Sequence, residues 1–151
     1  MEFIKVERRS QIYGFSLDPR PYLLELPRLR AELPQGAWAF ASDPEHYDFS
    51  STRCVKDLSV GKICLADDGR LALDIDLEPN RWKHDAGLKL RYADVTKLVV
   101  DHAARGPEPK MLGNLLLDEI VPAPQGCSHE LIFTGGSVLI VCADLEAVWK
   151  G

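Results

Sequence analysis

The sequence has no C-x-x-C pair, no glycine-rich phosphate loop of the Walker or dinucleotide type, no G-x-S-x-G and no H-E-x-x-H. Each absence removes a class. Without paired cysteines there is no zinc ribbon or thioredoxin-type redox pair, and without the other motifs there is no recognisable nucleotide site, serine-hydrolase elbow or zinc protease helix. No apolar run approaches the roughly 20 residues needed to span a bilayer. The opening MEFIKVERRSQIYGF alternates charged and apolar residues where a secretory signal would carry an apolar core. A cytoplasmic protein without a membrane partner is the expectation. Positive charge is also short: 18 Lys and Arg against 23 Asp and Glu leave a net charge of −5, which provides no global field to collect phosphates. Nucleic acid is therefore not expected as a partner, whereas a basic protein is electrostatically easier.

What is present suits one globular domain over residues 1–151, a length that hides about two thirds of its unfolded surface in a single core. The 46% hydrophobic content separates it from a disordered chain. The four cysteines, Cys54, Cys64, Cys127 and Cys142, are scattered. Cys64 and Cys142 lie in strand-like apolar runs, where a reduced cysteine serves as a small buried hydrophobe.

Phe3 to Glu7 reads as a short strand, followed by a weaker one over Gln11 to Leu17. Asp18-Pro19 looks like a helix start, because Asp accepts from first-turn amides and proline loses nothing there. Leu23, Leu26, Leu29 and Leu33 continue at helical spacing, with a kink expected at Pro27. From Ala37 the period changes to two, placing Trp38 and Phe40 on one side of an expected strand. The run from Cys54 to Ala66 reads as a bulged strand that meets Asp67-Asp68-Gly69, a hairpin signal because the turn needs positive φ.

Leu71 to Leu77 alternates cleanly, with Asp74 and Asp76 outward, and Leu88 to Tyr92 repeats the pattern with cations outward. Val95 to Val100 follows, so a three-strand meander is expected. Arg105 to Lys110 reads as a loop and Leu115 to Val121 as a strand. A second hairpin joins His129–Phe133 to Val138–Cys142, and Leu139-Ile140-Val141 suggests a strand covered on both faces. The tail Asp144–Trp149 fits either a short helix or an edge strand. The fold class is mainly β within α+β, an antiparallel sandwich or strongly curved sheet with one N-terminal helix.

His46-Tyr47-Asp48-Phe49 joins an imidazole, a phenol and a carboxylate, the ingredients of acid–base chemistry. Cys54 and Lys56 share a face if extended, and a cation lowers a neighbouring thiol's pKa. A small enzyme or ligand-binding β-domain would gather His46, Asp48, Cys54 and His84 in one concave site. The alternative is a protein-binding surface. Trp82-Lys83-His84-Asp85 lies between two strands and is dense in the side chains that anchor interfaces. With Tyr47 and Asp48, and with Asp74 and Asp76 as peripheral charge, it forms the candidate partner surface. His46, His84-Asp85 and Asp101 follow the order of HD-type phosphohydrolases but fall in loops and strand ends instead of helices. Neither a metal nor a cofactor is expected, and a homodimer is an allowed state.

The stretches HYDFSSTRCVKDLSVGKICLADDGRLALDID, WKHDAGLKLRYADVTKLVV and SHELIFTGGSVLIVCADLEAVW resemble small bacterial proteins of the polymorphic-toxin immunity type in their texture of short strands and turns. That resemblance implies an acidic cytosolic domain that inhibits a basic toxin or enzyme by binding it.

Overall fold

The computed structural model describes residues 1–9, 14–102 and 112–151. Half of the chain is strand and 14% is helix. The elements are β1 (Lys5–Arg9), β2 (Gly14–Asp18), α1 (Arg20–Leu29), α2 (Gln35–Ala41), β3 (Ser59–Asp67), β4 (Leu71–Glu78), β5 (Gly87–Ala93), β6 (Lys97–His102), β7 (Leu115–Ala123), β8 (Gly126–Phe133), β9 (Gly136–Cys142) and β10 (Asp144–Lys150). Among the described residues they form two four-stranded antiparallel sheets, ordered β10-β5-β4-β3 and β6-β9-β8-β7, and a separate β1-β2 hairpin. The α+β class read from the sequence is the one observed, without a closed barrel. The expected loop over Arg105 to Lys110 lies outside the described residues.

The alternation of β4 does what it predicts. Leu73, Ile75 and Leu77 are buried, while Asp74 and Asp76 stand on the outer face opposite Arg91 and Lys89. Asp67-Asp68-Gly69 closes the β3–β4 hairpin with Gly69 at φ 103°, a conformation that favours glycine. The expected bulge in the preceding strand falls between Val60 and Lys62. The tail takes the strand alternative, pairing along β5 as the edge of the first sheet.

Four expectations are corrected. Ala37 to Phe40 is helical: Ala37, Phe40 and Ala41 are buried at the i, i+3, i+4 spacing of a helix face. The Asp144 carboxylate, at the start of β10, accepts from the amides of Gly36 and Ala37 at 3.1 and 2.9 Å and satisfies two orphan donors of α2. The meander is β3-β4-β5. The chain then leaves the sheet, because Asp94 takes a left-handed turn (φ 51°), Val95 N–H donates to Leu71 O, and β6 crosses to pair with β9. Cys64 is exposed on the outer face of β3, while Cys142 is buried opposite Cys127 with the sulfurs 3.7 Å apart. Finally, β9 is covered on one face: Val138, Ile140 and Cys142 are buried, and Leu139 and Val141 are only partly so.

One apolar core joins helices and sheets, and a polar chain runs through it. His46 Nε2 and His129 Nε2 each lie 2.7 Å from one oxygen of Asp118. His129 Nδ1 is 2.8 Å from the Tyr92 hydroxyl, and His46 Nδ1 is 2.8 Å from Phe40 O. The chain therefore ties β5 of one sheet to β7 and β8 of the other, with every member buried.

Candidate functional site

Among the exposed large apolar side chains, Trp82 is the most prominent at 83% exposure. Its position is fixed by the turn between β4 and β5. Asn80 organises that turn: its Oδ1 accepts from Trp82 N–H at 3.0 Å, and its carbonyl accepts from the amides of Lys83 and His84. Asn80 N–H donates to His84 Nδ1 at 3.0 Å, so the ring proton resides on Nε2, which donates to Cys54 O at 2.8 Å. His84 is 8% exposed and stacks on Trp149. A buried neutral imidazole thus staples the turn to the Cys54 loop, and the indole beside it stands in solvent with the Arg81 guanidinium 4.6 Å above its ring.

Cations and aromatic faces continue from the turn onto the segment between α2 and β3. Lys83 and Lys56 both reach Asp57, at 3.4 and 3.0 Å, and both ammonium groups lie 6.0 Å from the half-exposed Phe49 ring. Arg53 pairs with Asp85 at 3.3 Å and covers Trp149. Asp57 holds these lysines from a left-handed backbone (φ 76°), a costly conformation for a residue other than glycine, and its N–H donates to Leu115 O. Arg53, Asp57 and Arg81 were not singled out in the sequence, and Phe49 only as the end of the His46-Tyr47-Asp48-Phe49 run. A signal was available, since four cations fall in two turn-rich segments of an acidic chain.

The structure brings Trp82, Lys83 and Asp85 together on this surface, with Asp48 nearby as a carboxylate whose pKa the Ser50 hydroxyl and amide lower. Tyr47 and His84 do not present themselves to a partner. The Tyr47 hydroxyl donates to Asp118 O within the core, where burial raises its pKa well above the ordinary value, and His84 is consumed by the staple. Asp74 and Asp76 lie on the outer face of the first sheet. There they meet Arg91, Lys89 and Lys150 at 3.7, 4.0 and 2.8 Å, beside a depression of about 480 Å³ floored by Ala66, Ala72 and Ala93.

The four residues of the enzyme alternative do not open into one cavity. His46 is locked between Asp118 and Phe40 O, Asp48 caps an exposed turn, and Cys54 is wholly buried. Burial pushes the Cys54 thiol up, outweighing the opposing pull of the Lys56 backbone amide, so the thiolate a nucleophile requires is disfavoured. His46, Asp118 and His129 are metal-ligand types, but their facing atoms are already in direct hydrogen bonds at 2.7 Å. Among the described residues no group of three or more His, Cys, Asp or Glu is arranged to hold a metal ion, and no helix is long and apolar enough to cross a membrane. Comparison with known proteins gave no match: no family model, no curated protein and no solved structure is significantly similar to this chain.

Proposed function

We propose that this chain is a non-enzymatic protein-binding domain, of the inhibitor or immunity type, that engages its partner through Trp82 and the charged side chains around it. One observation carries the reading: an indole that is 83% exposed stands on a turn whose backbone is fixed by hydrogen bonds and stapled to the core by His84. An exposed tryptophan is unfavourable in water. A fixed one is pre-organised for contact, because little conformational freedom remains to be lost on binding. Tryptophan and arginine are also the residues in which interface energy concentrates, and here Arg81 and Arg53 flank the turn. The net charge of −5 favours the long-range approach of a basic partner, whereas the side chains around Trp82 are of both signs, with Arg53, Lys56, Arg81 and Lys83 beside Asp57 and Asp85.

The test begins with capture of the partner from native lysate and identification by cross-linking to the Trp82 turn. The affinity of Trp82→Ala is then measured. A hot-spot indole is worth at least about 2 kcal/mol, so binding should weaken roughly thirtyfold or more with an unchanged circular dichroism spectrum. Wild-type affinity in both Trp82→Ala and Asp85→Ala would eliminate this surface.

A further inference from the structure

The four outer edges of the two sheets are treated differently. On β7, Leu115 exchanges hydrogen bonds with the Asp57–Leu58 segment, and the carbonyls of Asp118 and Ile120 accept from Tyr47 and Tyr22. On β10, α2 packs against the strand and is anchored by Asp144. On β3, the register breaks between Val60 and Lys62. Hydrogen bonding, cover and bulges are the devices by which proteins keep an edge from pairing with another chain. On β6 the register with β9 runs unbroken from Lys97 to His102, with no proline, glycine or bulge. Among the described residues no strand lies on its other side. Val99 and Val100 are 43% and 44% exposed, so both faces of this edge carry accessible apolar surface.

We infer that β6 pairs antiparallel with β6 of a second copy of this chain, about a two-fold axis through Val99, joining two sheets into one. The sequence of the strand is complementary to itself in that register. Counting outward from Val99, Lys97 falls opposite Asp101 of the second copy and Asp101 opposite its Lys97. Leu98 falls opposite Val100, and Val99 opposite itself. Lys97 and Asp101 are both exposed, and their separation of four residues puts them on the same face as Val99, where opposed side chains in an antiparallel pair meet. Each dimer therefore gains two ion pairs flanking an apolar centre, the isologous arrangement a two-fold requires.

The other accessible edge lacks this property. Lys62 and Asp67 of β3 are five residues apart and point to opposite faces, so no two-fold can oppose them. The pairing is independent of the Trp82 surface. It involves one short strand from each copy, and so belongs with small, concentration-dependent interfaces.

Sedimentation velocity over a series from about 1 µM to about 1 mM, the range in which small interfaces associate, tests it. The weight-average mass should rise from 16.9 kDa toward twice that value. Lys97→Asp alone sets carboxylate against carboxylate, and Asp101→Lys alone sets ammonium against ammonium. Each should move association to at least about tenfold higher concentration, as two attractive pairs become repulsive. The combined swap restores both pairs and should restore association. Net charge cannot mimic this pattern, because the single changes alter it in opposite directions. Val99→Lys, which opposes two ammonium groups on the axis, should also abolish the dimer. A wild-type chain that stays at 16.9 kDa throughout, single variants that associate like wild type, or a double variant that stays dissociated would each overturn the inference.

Discussion

Asp118 holds two imidazoles in the core: His46 Nε2 and His129 Nε2 each lie 2.7 Å from one of its carboxylate oxygens. The far side of each ring is also engaged, His46 Nδ1 by Phe40 O and His129 Nδ1 by the Tyr92 hydroxyl, both at 2.8 Å. Removing the carboxylate would leave the Nε2 of both imidazoles stranded in the core without a partner. Replacing Asp118 with Ala should destabilise the protein by about 3–5 kcal/mol, the range for stranding one member of a buried pair. Tyr92→Phe leaves one ring nitrogen unsatisfied and should be milder, about 1–3 kcal/mol. Urea denaturation of both variants checks the order, and an equal or reversed ranking would show that Asp118 is not the centre of this network. None of this was legible in the sequence. His46, Asp118 and His129 come from a turn and two strands, and nothing local to any of them signals burial.

The elements that were legible share one property: their local pattern and their tertiary environment agree. β4 and β5 alternate because one face is core and the other solvent, and their outward charges meet in register. α2 was misread because Gln35–Ala41 is a seven-residue segment in which apolar residues satisfy either period. Its first amides are satisfied by Asp144, 108 residues from Gly36 and 107 from Ala37. That carboxylate carries no helix of its own and binds the α2 amides from the start of β10. Asp144→Ala should remove about 0.5–2 kcal/mol, the range for losing a helix N-terminal cap, and should raise amide exchange at Gly36 and Ala37 ahead of the sheet amides. Uniform exchange across both regions would mean that Asp144 does not act through α2. The site was legible to a similar degree. Trp82 stands out as an aromatic in a turn, but that His84 faces inward to hold it there depends on the distant Cys54 carbonyl.

For the molecule as a whole, the polar chain makes the union of the two sheets depend on pH. Burial alone would raise the Asp118 carboxyl, but the charge of His46 and the hydrogen bonds from both imidazoles outweigh it and hold the group well below the ordinary carboxylate range. A carboxyl depressed in the folded state binds its proton more readily in the unfolded chain. Its contribution is therefore complete above the unfolded value of about 3.9 and is lost as pH falls from there toward the folded value. Over that window the loss proceeds at up to about 1.4 kcal/mol per pH unit for this single group. Asp118 should hence remain ionised in the folded protein as the pH falls below about 4, where an ordinary aspartate takes up its proton. A pH titration of the side-chain carboxyl carbons by NMR measures this directly, with Asp118→Asn identifying the resonance. A resonance that titrates near the unfolded value of about 3.9 would mean that Asp118 is not the group whose ionisation holds the two sheets together.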